Sequence, residues 1–450
     1  MGYDTIKSGL HRYFETYQWQ NTTLPDFVGC LQWAFENSGD TAMGEDFNFT
    51  EWCDTWLTTS GVNVLEPVVE YNDDQSVKSF AIKQTCDLRG KNRLRKQKLD
   101  VAFYDESLTA HVIRDVVISE KEQLNPLDVA FDFPVKAIII NHGDHAYAKV
   151  RFDQKTLDCF EDELCKIDEY LTRSVVWRQL WLLVMDGRMS SLQYFDFVIK
   201  QLPQETVEQS IVATLTNLTV LAKYYIPEDS VRTCQEKMFT TLLDLLARDI
   251  PDSIKSPVVD NIFGFISHED HVALALKWVD CGFVHPAAAA DQSLFSLSKS
   301  HKHQIVTRLH KSLVLSQEAK NALLEQVIGD DKSDLARNTR LTCQAATPTE
   351  DAKAEAWREL VAPQSKLSLY ERRAQMAGFY SWAQVDVCQP YFDKFYEALP
   401  DLSAHHTYKY IETFFYSMLP RMRIEDRHIV KLMTIKSQVP DTNSMYMKVL

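Results

Sequence analysis

The sequence has 450 residues, enough at roughly 100–200 residues per domain for two to four domains. Its 45 % hydrophobic and 25 % charged residues, with 13 Gly and 15 Pro, exclude collagen-like, low-complexity and disordered classes. Forty-eight Lys plus Arg against 63 Asp plus Glu leave a net charge of −15, which argues against polyanionic partners, so neither nucleic acid nor an anionic membrane surface is expected.

Residues 1–52 show helical spacing, with Leu10, Phe14 and Tyr17 in one stretch and Phe27, Leu31, Ala34 and Phe35 in the next, joined by a connector containing Pro25. Two or three helices are predicted. Eight acidic residues against two basic ones concentrate negative charge here, and an amphipathic start without a lead-in reads as the inside of a domain.

From about 53 to 153 the period becomes two. Phe80 and Ile82 alternate with Ser79, Ala81 and Lys83, and Leu99, Val101 and Phe103 alternate with Lys98, Asp100 and Ala102. Val112-Ile113, Val116 to Ile118 and Val135 to Ile140 follow at sandwich-like intervals, so this stretch predicts a small β-sandwich. After Asp153 strand signals nearly vanish. Val176, Leu180, Leu183 and Val184 share one helical face, and Met238, Leu242, Leu245 and Leu246 another. Breaks at Gly187, Pro203, Pro227, Pro251, Pro286, Pro363, Pro390 and Pro400 cut residues 154–450 into pieces suited to paired helices, a HEAT-like α-solenoid.

Nine cysteines without a CxxC pair indicate reduced thiols and a cytoplasmic location. No signal-peptide pattern, myristoylation motif or apolar stretch near 18 residues is present, and the Asn-x-Thr sequons at Asn21, Asn48 and Asn217 read as chance matches. P-loop, GxGxxG, GxSxG and HExxH motifs are all missing. The nearest approach to metal spacing is His268 and His271 with Cys281 and His285, followed by His301, His303 and His310; these are read as solvated side chains of a helical array rather than zinc ligands. Lys91, Arg93, Arg95, Lys96 and Lys98 are read as the solvated face of a hairpin, the C-terminal aromatics from Phe379 to Tyr416 as helix-packing core, and Cys159 and Cys165 as buried thiols.

Several stretches in order resemble the C-terminal portion of the M1-family zinc aminopeptidases. Asp4-Thr-Ile-Lys-Ser-Gly-Leu-His-Arg-Tyr-Phe14 and Asn21-Thr-Thr-Leu-Pro-Asp-Phe27 resemble the helices that close the family's thermolysin-like catalytic domain. Trp56-Leu-Thr-Thr-Ser-Gly-Val-Asn-Val-Leu65 resembles its entry into the β-sandwich. Asn141-His-Gly-Asp144 with Tyr147-Ala-Lys149-Val-Arg-Phe-Asp153 resembles the junction from sandwich to helices. Trp177-Arg-Gln-Leu-Trp181 with Asp186-Gly187, Pro203-Gln-Glu-Thr206, Lys353-Ala-Glu-Ala-Trp357 and Gln389-Pro-Tyr-Phe392 resemble helical segments beyond it.

The resemblance implies a mainly α, multidomain chain: 1–52 as the incomplete helical end of a catalytic domain, 53–153 as the β-sandwich and 154–450 as the HEAT-like domain. It also implies a non-catalytic part that caps the active-site chamber of an enzyme releasing N-terminal residues from peptides. The family's zinc ligands, its general-base Glu and its amine-binding loop have no counterpart here and would precede Met1. No catalytic or metal residue is therefore assigned, zinc belongs to the intact family enzyme, and the chain is expected to be inactive alone. Peptides and a separate catalytic chain are the partners implied. A scaffold or interaction protein derived from an aminopeptidase is the alternative.

Overall fold

The computed structural model describes residues 2–39, 47–86, 93–285 and 296–438. The chain divides into two compact units, Met1–Ser210 and Ile211–Leu450. It is mainly helical, with two small sheets toward the N-terminus.

Three helices open the first unit: α1 (Tyr3–Tyr17), α2 (Leu24–Glu36) and α3 (Phe49–Thr58). A capping box starts α2, with the Thr23 amide donating to Asp26 Oδ2 (2.8 Å) and Pro25 in the first turn, where its missing N–H costs no helical bond. α1 meets α2 at Gly9, where a Cβ would lie 2.7 Å from Leu31 Cδ2. Gly9 is the one buried residue of α1, and Tyr3, Phe14 and Trp19 stay exposed.

Seven strands follow: β1 (Asn63–Tyr71), β2 (Val77–Cys86), β3 (Gln97–Tyr104), β4 (Ala110–Ile118), β5 (Leu124–Leu127), β6 (Ala137–His142) and β7 (Ala148–Val150). They form sheets of order β5-β2-β1-β7 and β4-β3-β6. Leu65, Phe80 and Ile82 from the first sheet and Leu99, Val101, Phe103, Ile138 and Ile140 from the second share one apolar cluster, as the alternation predicts. β3 differs from a half-solvated strand, since Asp100 and Ala102 on its other face are also buried. Asp100 sits at a bulge, and its carboxylate accepts from Arg114 and from the Asp115 amide.

The unit closes with α4 (Gln154–Glu163), α5 (Tyr170–Met185) and α6 (Ser191–Gln201). The loop Asn141 to Asp144 turns through positive φ at Asn141, Gly143 and Asp144, and the Asn141 side chain both donates to and accepts from the Ala146 backbone. From this loop and β7 the chain grips α5: Asp144 pairs with Arg178, Lys149 with Asp186, and the Val150 amide donates to Gln179.

α7 (Glu208–Tyr224) leads into the second unit, which continues with α8 (Val231–Leu246), α9 (Asp252–Ile262), α10 (Glu269–Cys281), α11 (Lys299–Lys311), α12 (Gln317–Ile328), α13 (Asp334–Ala346) and α14 (Glu350–Val361). Then come α15 (Leu369–Phe379), α16 (Val385–Cys388), α17 (Pro390–His405), α18 (Tyr408–Met418) and α19 (Asp426–Gln438). α11 packs on α13 and α13 on α15. The closest approach is at Gly378, where a Cβ would stand 2.1 Å from the Thr342 carbonyl oxygen. The late aromatics are core as read: Phe379, Tyr391, Phe395, Tyr396, Tyr410, Phe414 and Phe415 are buried in one cluster, with Tyr416 exposed. Pro400, expected to break a helix, lies inside α17, because burial of Leu399 and Leu402 outweighs one lost backbone bond. Pro286 lies outside the described residues.

Candidate functional site

The histidines with metal-like spacing do not converge. His268 pairs with Glu236, and His271 stacks on Phe239 with ring centroids 3.7 Å apart. His301 bonds Asp260 (3.0 Å), His303 bonds Thr339 Oγ1 (2.8 Å) and His310 bonds the Val306 carbonyl (2.9 Å). The solvated reading fails for three of them: His301, His303 and His310 are buried, because α11 turns that face toward its neighbours. Burial holds the His271, His303 and His310 rings below the usual imidazole range, so they are neutral packing groups at pH 7. Cys281 is exposed.

The basic run after β2 is also not simply a solvated face. Arg95 is 1 % exposed, stacks 4.7 Å from the Trp56 ring and donates to Gly61 O, Asn63 Oδ1 and Thr59 Oγ1. With the Trp52 indole donating to Lys96 O (2.8 Å), it fastens α3 to the sheets. Lys91 lies outside the described residues. Cys159 is buried as expected, Cys165 is half-buried, and burial pushes their thiols up to about 11 and about 12.

A concentration of like charge appears instead in the second unit, assembled from helix ends far apart in sequence. The last turn of α11 supplies Arg308, donating to Ile266 O (3.0 Å), and Lys311, donating to Ala377 O (2.6 Å). Lys353, in the first turn of α14, is fully buried and donates to Ala345 O (2.7 Å) and Phe379 O (2.6 Å). The acceptors of Lys311 and Lys353 are carbonyls at the ends of α13 and α15, where a helix leaves them unbonded and its dipole favours a cation. The end of α7 adds Lys223 and Tyr224, and Arg421 follows α18 with its guanidinium 3.7 Å from the Tyr224 ring centroid.

Burial first, then the charges of Arg308, Lys353 and Lys223, together lower Lys311 to about 7. Burial alone brings Arg308 to about 10, and mainly burial brings Lys353 to about 8. Lys223 is held below its ordinary range by burial and then by Arg421, itself held down by burial. Among the described residues, none of these five has a carboxylate partner. Arg308 and Lys311 nevertheless touch solvent and Lys223 is exposed. Beside Arg421, the buried Tyr380 hydroxyl and Arg421 Nε both lack a hydrogen-bond partner. Positive charge is thus gathered here without a neutralising carboxylate among the described residues. Sequence reading missed it because its members are spread from 223 to 421, and only the Arg308–Lys311 pair hinted at it.

Residues 137–442 match the ERAP1-like C-terminal domain. The chain belongs to that family. The five cations lie within the matched segment of this ERAP1-like C-terminal domain. Over 438 residues the chain is 24 % identical to aminopeptidase N of Streptomyces lividans, covering 94 % of this chain and 48 % of that protein. The chain thus spans about half the length of the curated relative it matches. In fold it is similar to Legionella pneumophila aminopeptidase A, solved in complex with aspartic acid, at TM-score 0.57 and 14 % identity over all of this chain and 54 % of that one. The resemblance to the C-terminal part of the M1 aminopeptidases therefore holds. The zinc implied for the intact family enzyme does not fit this ERAP1-like domain itself: among the described residues no group of three His, Cys, Asp or Glu is placed to hold a metal ion. Among the same residues no helix is long and apolar enough to cross a membrane.

Proposed function

We propose that this chain is the non-catalytic C-terminal part of a zinc aminopeptidase, an α-helical cap over the active-site chamber whose basic cluster attracts the carboxylate end of a peptide. The observation that carries this reading is the uncompensated cluster of Lys223, Arg308, Lys311, Lys353 and Arg421 in a chain of net charge −15. An overall acidic surface repels polyanions, whereas a local cationic cluster favours one small anionic group, such as the free carboxylate at the C-terminus of an unmodified peptide.

Packing of α11 on α13 and α13 on α15 supports a HEAT-like stacking of helix pairs, the architecture that presents concave binding surfaces. Nine free cysteines support a cytoplasmic location. Exposed Tyr3, Phe14 and Trp19 on and just after α1 support a protein partner there, which we take to be a catalytic chain.

The test is titration of the purified chain with one unlabelled peptide in two forms, free carboxylate and C-terminal amide, alongside zinc analysis and cleavage of an aminoacyl fluorophore. Amidation is expected to weaken binding at least about tenfold, the loss of one charge-assisted contact, with neither stoichiometric zinc nor cleavage. Equal affinity for the two forms overturns the carboxylate-binding reading, and robust cleavage overturns the non-catalytic one.

A further inference from the structure

α19 is fastened differently from the helix before it. α18 buries Tyr410, Ile411, Phe414, Phe415 and Met418, and the connector that follows sets Met422 into a small cluster with Val385, Cys388 and Phe392. Past Met422 the one fully buried side chain among the described residues is a histidine, His428, at 2 % exposure. Leu432 and Ile435 are only half-buried against the aromatic cluster, and Ile429, Val430 and Met433 turn outward. A helix of 13 residues is marginal in water without tertiary contacts, so something other than apolar burial must hold it.

That hold is ionic and converges on one carboxylate. Asp393, in the first turn of α17, receives Lys431 on Oδ1 (2.6 Å) and Arg427 on Oδ2 (3.1 Å). His428 lies against the same group: its Nδ1 accepts from the Glu425 amide (3.1 Å), so a neutral ring carries its proton on Nε2, 3.8 Å from Asp393 Oδ1. The ring stacks on Tyr396 of α17 with centroids 5.7 Å apart. Arg423, in the left-handed region at φ 48°, ties the connector to Asp386 of α16 (2.9 Å) and to Glu228 (3.9 Å). The Asp393 carboxylate is 37 % exposed and lines, with Glu425, Arg427 and His428, a cleft of about 360 Å³, so dissolved ions reach these pairs.

We propose that α19 is a releasable strap, docked on α17 through Asp393 and freed as a unit when that charge is screened, with its hinge at Arg423. Opening bares Tyr396 and one edge of the aromatic cluster, relieves the left-handed backbone of Arg423, and leaves the cluster shared by α14, α15, α17 and α18 in place. Each partly exposed pair favours closure by severalfold at most, so the set around Asp393 favours it by roughly tenfold, a margin that salt removes. Lys431 first, then Arg427, hold the Asp393 carboxyl below its ordinary range, so ionic strength rather than acidity is the lever near pH 7.

The experiment is hydrogen exchange of the full chain at pH 7 in about 0.05 M and about 1 M sodium chloride, read separately for α19 and α18. In wild type the exchange of α19 should quicken severalfold to about tenfold at the higher salt, with α18 changing by less than about twofold. Asp393→Asn keeps the shape of the side chain and removes its charge, so at low salt its α19 should exchange about tenfold faster than in wild type and respond little to salt. Salt-insensitive exchange of α19 in wild type overturns the proposal, as does wild-type protection of α19 in Asp393→Asn. Equal quickening of α18 overturns the separability of the strap. The wild-type salt series decides the matter even if the variant does not fold.

Discussion

Replacement of Glu205 by Ala is the most demanding test of how the first unit is held together. Glu205 is buried just beyond α6, and its carboxylate takes a fork from Arg173 (3.1–3.3 Å), the Trp177 indole N–H (2.8 Å) and the amides of Thr206 (2.8 Å) and Val207 (2.9 Å). The variant loses all of these. It also leaves the Arg173 guanidinium, 7 % exposed, with only the Ile167 and Asp168 carbonyls and Thr206 Oγ1 as partners. An uncompensated buried charge and an orphaned indole place the loss at about 3–5 kcal/mol near pH 7. Burial alone would push the Glu205 carboxyl up, but bonds from Arg173, Val207, Trp177 and Thr206 outweigh it and hold the group below its ordinary 4.5. A depressed carboxyl contributes stability that is complete above 4.5 and disappears as pH falls through the lowered value, so the gap between wild type and variant must narrow below about pH 4.5. Urea unfolding at pH 7 and pH 4, with hydrogen exchange of residues 170–185 locating the loss, measures both quantities. A deficit under about 1 kcal/mol, or one that does not shrink on acidification, would refute this account of the pair.

Gly378→Ala should destabilise the second unit by about 2 kcal/mol or more, because its Cβ would lie 2.1 Å from the Thr342 carbonyl oxygen where α13 and α15 touch. Gly29→Ala, with nothing within 4 Å of the added methyl in α2, should be neutral or stabilise by up to about 1 kcal/mol, and thermal unfolding of the two variants side by side tests the contrast. Hydrogen exchange should show residues 1–52 opening more readily than residues 160–250, since α1 buries a single glycine whereas α5 and α8 bury most of their apolar residues. Equal protection would mean that the N-terminal helices are held by more than their contacts with α2 and α3.

Much of the local structure was legible. The change from helices to strands is real but comes later than the period suggests, since residue 53 lies inside α3 and β1 begins at Asn63, whereas the return to helical spacing after Asp153 coincides with α4. The motif residues that carry the family resemblance proved to be partners of one another. Asp144 and Lys149 reach Arg178 and Asp186, and Trp177 and Glu205 share one hydrogen bond across two motifs that are separate in sequence. Other residues were misread for one recurring reason: a polar side chain in a polar stretch looks solvated until its neighbours are known. Arg95, His301, His303 and His310 are all buried, each with a partner from another element or an earlier turn of its own helix.

The amino-acid order by itself determined the elements, their succession and the family, because apolar periodicity, caps and turn residues act over a few positions and are written locally. Only the tertiary structure decided where charge accumulates. The net charge of −15 is a sum over the whole chain and predicts repulsion of anions, yet Lys223, Arg308, Lys311, Lys353 and Arg421 are gathered at helix ends with no carboxylate partner among the described residues. Electrostatic character at a site depends on the distances and solvent exposure that folding imposes, and those are set by packing between segments nearly two hundred residues apart.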